Sequence, residues 1–280
     1  MTLYISDLDG TLLDRQARLS RRTLEILNQL LDQGMAFTIA TGRTLLSAVP
    51  LLQPLNLKLP LILANGALLY DLKRHHSTCL AAFPPLSARA LERAEKETGI
   101  RGLLLSQQGD RIYCRESGNK RFLWDGYFQI QNLLACGALD DSFAGRHTPG
   151  SLAPGRIFYA LYMDDQAQDL ARMADLLSWD PGLVCDFYKD QYSKRRWCLE
   201  ITPKGGDKGK AALCLKQNCN EDRIIAFGDG LNDLPLFAVS DLACAPANAC
   251  HEVRERAHLI IGSNYEDGVA TYLLETFAKI

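Results

Sequence analysis

The stretch Leu3-Tyr4-Ile5-Ser6-Asp7-Leu8-Asp9-Gly10-Thr11 decides how the chain reads. A short apolar run over residues 3–8 is interrupted by carboxylates and stopped by a glycine. That is the pattern of a buried strand entering a loop. In an extended segment, residues two apart point the same way, so Asp7 and Asp9 lie side by side at the mouth of the sheet. Two carboxylates so placed repel each other. A hard cation such as Mg2+ resolves the repulsion, because it favours carboxylate oxygens and keeps several waters. Read by itself, the Asp-Gly-Thr end of the stretch is explained equally well as a plain turn.

Working outward, Ser20 stands as an N-cap before Leu24, Leu27, Leu30 and Leu31 at helical spacing, and Gly34 closes that helix. Residues 35–40 read as a second strand ending in Thr41-Gly42-Arg43. A helix starts near Thr44 and stops before Pro54, and residues 61–64 form a third strand ending in Asn65-Gly66-Ala67. Alternating strands and helices are the mark of a parallel α/β sheet. The middle differs, with helices over 87–98, 121–135 and 166–177, and strands over 112–114, 157–163, 183–188 and 197–201. After Pro203 the first pattern resumes: a helix over 208–217, then a strand over 224–227 ending in Gly228-Asp229-Gly230-Leu231-Asn232-Asp233. A short helix near Pro235 and a strand over 242–244 follow, with further periodic segments over 253–257, 259–261 and 269–278. The fold class is therefore α/β: a Rossmann-like parallel-sheet core of residues 1–81 and 203–280, interrupted by an α+β domain over 82–202.

The 280 residues are 47% hydrophobic and 23% charged, which suits a globular chain and excludes a disordered one. Lys and Arg total 31 against 33 Asp and Glu, a formal net charge of −2. That balance gives no chain-wide attraction to nucleic acid or to an anionic membrane. No apolar stretch is long enough to span a bilayer. No basic segment precedes the first apolar run, so it does not read as a secretory signal, and a cytoplasmic protein is expected. The nine cysteines cannot all pair within one chain, form no Cys-x-x-Cys and have no zinc-ligand spacing. They read as free thiols.

In a parallel sheet the carboxyl ends of the strands share one edge, where ligands bind. Asp229 would bring a third carboxylate to the Asp7 and Asp9 pair, and joined to it the plain-turn reading of Asp7 to Thr11 loses ground. Thr41 and the Gly42 amide suit a phosphate oxygen at a helix N-terminus, and Thr41 suits equally well as an N-cap. Lys208, after Gly205-Gly206-Asp207, reads locally as a solvated lysine, and only the shared edge makes it a phosphate clamp. Asn232 and Asp233 read locally as caps of the helix near Pro235. Asn65-Gly66 is a turn signal, and His75-His76 is read as surface. The basic run Lys194-Arg195-Arg196 is either a solvated face or an attractor for an anionic substrate.

Together these segments resemble the haloacid dehalogenase superfamily, and in particular its Cof-type (type IIB) members with a large α/β cap. The resemblance rests on Asp7-Leu8-Asp9-Gly10-Thr11, Thr41-Gly42-Arg43, Gly206-Asp207-Lys208-Gly209 and Gly228-Asp229-Gly230-Leu231-Asn232-Asp233, in that order. Ala64-Asn65-Gly66-Ala67 and Asn264-Tyr265-Glu266-Asp267-Gly268-Val269 are further marks of the subfamily. It implies a Mg2+-dependent phosphatase with catalytic Asp7 and Asp9: Asp7 the nucleophile that forms an aspartyl-phosphate, Asp9 the general acid and then base. The implied metal set is Asp7, the Asp9 backbone carbonyl and Asp229, with Asp233 supporting them through water or from behind. The implied phosphate binders are the Leu8 amide, Thr41, Gly42, Lys208 and Asn232. Arg43 and Asn65 would contact the substrate or the cap.

The implied substrate is a small phosphorylated metabolite, neither nucleic acid nor membrane, because a large cap encloses only small molecules. Sugar phosphates come first, then nucleotide or cofactor phosphates such as flavin mononucleotide or pyridoxal phosphate. Members that cleave carbon–halogen bonds lack the second aspartate, so Asp9 argues for a phosphate ester. Two alternatives use the same core: a phosphotransferase or phosphomutase that passes the phosphoryl group to another hydroxyl, and a non-enzymatic sensor of phosphorylated metabolites.

Overall fold

The structure, a computed structural model, describes residues 2–115, 155–189 and 195–277. The expected helix over 121–135 lies outside these residues. The chain forms two compact units, Met1–His76 with Asp207–Ile280, and Ser77–Gly206. The sequence reading puts the same passages at 81/82 and 202/203.

In the first unit β1 (Thr2–Ser6) leads through a loop to α1 (Arg21–Asp32), β2 (Ala36–Ile39), α2 (Leu45–Leu52) and β3 (Leu61–Leu63). β4 (Leu68–Asp71) pairs antiparallel with β3, and the two units divide within the next strand, β5 (His76–Cys79). The second unit holds α3 (Pro85–Thr98), β6 (Leu103–Gln108), β7 (Arg111–Arg115), β8 (Arg156–Asp164), α4 (Ala167–Leu177), β9 (Leu183–Lys189) and β10 (Trp197–Pro203). The first unit then resumes with α5 (Lys208–Cys219), β11 (Arg223–Phe227), α6 (Leu234–Ala238), β12 (Leu242–Pro246), α7 (His251–Arg256), β13 (Leu259–Ile261) and α8 (Gly268–Thr276).

The main sheet of the first unit has the order β13-β12-β11-β1-β2, and every pair in it is parallel. β1 lies inside this sheet, which explains why Leu3, Tyr4 and Ile5 form an unbroken apolar run with all three side chains buried. α1 starts where Ser20 Oγ accepts from the Thr23 amide at 2.9 Å, and it buries Ile26, Leu27, Leu30 and Leu31. The register sets Ser6 beside Phe227 on one side and Ile39 on the other. Pairing runs on past the strands: the Asp7 amide donates to Phe227 O, the Ala40 amide to Ser6 O and the Thr41 amide to Ile62 O, each at 2.9 Å. The loops after β1, β2, β3 and β11 therefore leave the sheet at one level.

The second unit is an antiparallel sheet of order β7-β6-β8-β10-β9 with α3 and α4 packed on it. A buried ion pair fastens α3 to the sheet. Arg115 forks onto Glu95, Tyr162 Oη donates to Glu95 Oε1 at 2.7 Å, and Arg115 also reaches Gly102 O. Burial pushes the Tyr162 phenol well above its usual range, and the Glu95 charge adds to the rise.

Three strands escaped the sequence reading. β4 and β5 are short and joined by a turn in which His75 takes φ 50°. β6 reads Leu-Leu-Leu-Ser-Gln-Gln, an apolar run without alternation that propensity cannot assign. Eight cysteines fall among the described residues and all carry free thiols.

Candidate active site

The strand-end loops of the first unit converge on Asp7. The first residue after β1, it is almost fully buried, with 5% of its surface exposed. Its Oδ1 accepts from Lys208 Nζ at 2.6 Å, and the same ammonium donates to Asp233 Oδ1 at 2.6 Å. Lys208, whose local context reads as solvated, is wholly buried at the first position of α5. Asp207 caps that helix through the Lys210 amide at 2.8 Å, and this turns the next residue, Lys208, inward.

The loop after β11 is organised by Asp233. Its Oδ2 accepts from the backbone amides of Asp229 and Gly230, each at 3.0 Å, while Oδ1 takes Lys208. Both oxygens are thus engaged with the protein. Asp229 Oδ1 accepts from Thr11 Oγ1 at 2.7 Å, tying the β1 loop to the β11 loop across 218 residues of chain. Gly10 makes that approach feasible: it sits at φ +80°, and any Cβ there would run into the Asp229 carboxylate.

Burial sets the electrostatics. It pushes the Asp7 carboxyl well above the usual carboxylate range; Lys208 pulls it back, and Asp233 and Asp229 add to the rise. Burial also raises Asp229, to about 6, against the lowering effect of the Thr11 hydrogen bond. For Lys208 burial works downward, yet the Asp233 and Asp7 charges outweigh it and hold the ammonium charged.

Asp7, Asp229 and Asp233 each bring a carboxylate oxygen to one point, all within 4.8 Å of one another. One buried lysine faces three carboxylates, so the cluster carries excess negative charge in a poorly solvated place. A divalent cation with a preference for oxygen fits such a donor set. The Asp9 side chain does not join the cluster. Arg43 forks onto it instead, Nε to Oδ2 and Nη2 to Oδ1, each at 2.6 Å. The metal contact expected of Asp9 is its backbone carbonyl and does not involve this side chain.

The remaining predicted positions lie close by in the fold. Thr41 is buried, and its Oγ1 accepts from the Arg43 amide at 3.1 Å. Thr44, not Thr41, is the N-cap of α2. Leu8 is buried, and its carbonyl accepts from the Leu12 and Leu13 amides at 3.0 and 2.9 Å, which curls the loop around Asp9 and Gly10. Asn232 Nδ2 donates to Asn65 Oδ1 at 3.0 Å. His75 and His76 are exposed.

Three residues that hold the site were not singled out from the sequence. Thr11 lies within the first motif, and a hydroxyl two residues after Asp9 was the available signal. Asn248 Nδ2 donates to Gly10 O at 2.7 Å, and Asn264 Nδ2 to Leu13 O at 2.7 Å. The two are linked, since Asn248 Oδ1 accepts from the Asn264 amide at 2.9 Å. Asn264 begins a motif quoted above, whereas nothing around Asn248 marks it.

The family model described as haloacid dehalogenase-like hydrolase matches residues 4–273. The chain is 28% identical over 277 residues to the pyridoxal phosphate phosphatase YbhA of Escherichia coli K12, covering 95% of each chain. It is 27% identical over 292 residues to the 5-amino-6-(5-phospho-D-ribitylamino)uracil phosphatase YwtE of Bacillus subtilis 168, again covering 95% of each. The crystal structure of a haloacid dehalogenase-like hydrolase from Bacteroides thetaiotaomicron superposes with a TM-score of 0.71 at 23% identity, covering 99% of both chains. The chain belongs to the haloacid dehalogenase-like hydrolase family, with that family's parallel-sheet fold. It is an enzyme, a hydrolase of the phosphatase type. No helix among the described residues is long and apolar enough to cross a membrane.

Proposed function

We propose that the chain hydrolyses phosphate monoesters of small metabolites with Mg2+, through an aspartyl-phosphate on Asp7. The observation that carries this is the buried Asp7 carboxylate, held at 2.6 Å by Lys208 beside Asp229 and Asp233 at the carboxyl edge of the parallel sheet. Asp7 and Asp229 would hold the metal directly, with the Asp9 carbonyl, and Asp233 would brace the Asp229 loop. When bound, the cation supplies charge neutralisation for a dianionic phosphoryl group.

The residues divide the remaining work. Asp7 attacks phosphorus, forming an oxygen–phosphorus bond while the bond from phosphorus to the leaving oxygen breaks. Asp9 gives its proton to that leaving oxygen, then takes one from the water that attacks phosphorus. The second attack breaks the bond to Asp7 and releases inorganic phosphate. Lys208 pins the Asp7 carboxylate and, with Thr41, the Gly42 amide, the Leu8 amide and Asn232, offers donors to the phosphoryl oxygens. The unit Ser77–Gly206 serves to choose the substrate.

The names of the two relatives favour small esters such as cofactor phosphates, alongside the sugar phosphates expected from the sequence. A phosphate-release screen across sugar, cofactor and nucleotide monophosphates, with and without EDTA, tests the reading. Turnover of one of these classes that vanishes in chelator and returns with Mg2+ is the expected result. Full activity in EDTA, or no phosphate released from any ester, would overturn it.

A further inference from the structure

Ala64, Asn65 and Gly66 follow one another at φ 50°, 52° and 94°. Three consecutive residues in the left-handed region are unusual, and an alanine there is strained. The turn does not stand alone. The Ala64 amide donates to Arg43 O at 2.9 Å and the Asn65 amide to Thr41 O at 3.0 Å, so it is bolted to the Thr41-Gly42-Arg43 loop from both ends. At Gly66 there is no room for a side chain, because a Cβ would strike the carbonyl of Asp207, the residue before Lys208. The Asn65 amide group lies over the Gly42 backbone, where a Cβ would come within 3.1 Å of Oδ1. From there Asn65 Oδ1 accepts from Asn232 Nδ2 at 3.0 Å.

One strained turn thus touches the Thr41-Gly42-Arg43 loop, the Asp207-Lys208 junction and the loop after β11. We infer that Asn65 is a positioning residue rather than a contact for the substrate. It orients the Asn232 carboxamide, leaving that group's second N–H to serve the phosphoryl group. The inference rests on the phosphatase reading and makes Asn65 a support for Asn232 in place of a substrate or cap contact. The residue type follows from two demands at once. The left-handed backbone admits Asn more readily than other residues with a side chain, and the acceptor oxygen is needed for Asn232.

These two demands separate by mutation. Asn65→Gly keeps the backbone and removes the acceptor, Asn65→Asp keeps both, and Asn232→Ala removes the residue through which Asn65 acts. Asn65→Gly is expected to lower kcat about five- to tenfold, the scale of one hydrogen bond to a positioned group, with KM for an aryl phosphate changed less than twofold. Asn65→Asp restores most of the loss. In the Asn232→Ala background, Asn65→Gly adds less than a twofold further change, because the two residues act as one unit. Additive losses in the double variant, or a loss confined to KM, would overturn the inference in favour of direct substrate contact. A readout independent of turnover is the side-chain amide signal of Asn232 in 15N NMR, assigned by its disappearance in Asn232→Ala. It is expected to shift and exchange faster in Asn65→Gly. An unchanged signal contradicts the inference whether or not the wild type releases phosphate, whereas a shifted signal in a protein inactive on every ester sinks the phosphatase reading alone.

Discussion

Arg43 grips both oxygens of Asp9, with Nε on Oδ2 and Nη2 on Oδ1 at 2.6 Å each. The side chains are partly buried, at 12% and 29% exposure, so the pair has a fixed geometry without being sealed from water. A guanidinium fork of this kind orients a carboxylate as well as attracting it.

Arg43→Lys is accordingly not a conservative change. Lysine brings one point charge where the fork brings two parallel donors. The expected outcome is a kcat lower by roughly tenfold on an alkyl phosphate, on the order of one charge-assisted hydrogen bond. The melting temperature should move little, since partly exposed pairs contribute about 0–1 kcal/mol. Steady-state kinetics beside a thermal melt check both halves. An unchanged kcat would show that the fork does not position Asp9.

Lys208→Met probes the buried centre. The ammonium is wholly buried and serves Asp7 and Asp233 together. Removing it leaves two carboxylates without compensation, which costs about 3–5 kcal/mol. A drop in Tm on the order of 10 °C is expected near neutral pH. The drop should shrink near pH 5, because burial already raises Asp7 and its protonation removes uncompensated charge. Thermal melts at both values measure it. A loss equal at both would mean that packing, not charge, is what Lys208 supplies.

How far the sequence could be read depends on the range of each interaction. The strand-to-loop junctions at Asp7, Thr41, Asn65 and Asp229 are legible, because apolar runs ending in Gly and small polar residues are local patterns. The convergence of those junctions follows from parallel topology alone. Side-chain pairing across the fold is not local: Lys208 meets Asp7 201 residues away, and Thr11 meets Asp229 across 218. No neighbour of Lys208 announces that it is buried. The Arg43 fork and the Asn248 and Asn264 braces escape for the same reason. β4 and β5 escape because their residues are polar or short-ranged in pattern, and their strand character comes from pairing.

The burial-raised acids predict a pH dependence for metal stabilisation. Asp229 stands at about 6 against an ordinary 3.8, and Asp7 is raised as well. For a carboxyl raised by folding, the folded state holds more protons than the unfolded state between the two values. Stability of the metal-free protein therefore falls as pH rises through that window. A cation that binds the ionised cluster offsets this loss. The rise in Tm on adding Mg2+ should be small near pH 5 and grow above about pH 6. Thermal melts across that range, with and without Mg2+, decide it, and a shift independent of pH would contradict the assignment of Asp7 and Asp229 as ligands.

The nucleophilic role proposed for Asp7 is tested by phosphate release from p-nitrophenyl phosphate by Asp7→Asn in the presence of Mg2+. Asn has nearly the same shape and keeps an oxygen for Lys208, so the variant should melt within a few degrees of the wild type. No turnover above background in a folded protein is the predicted result. Turnover near the wild-type rate would contradict it.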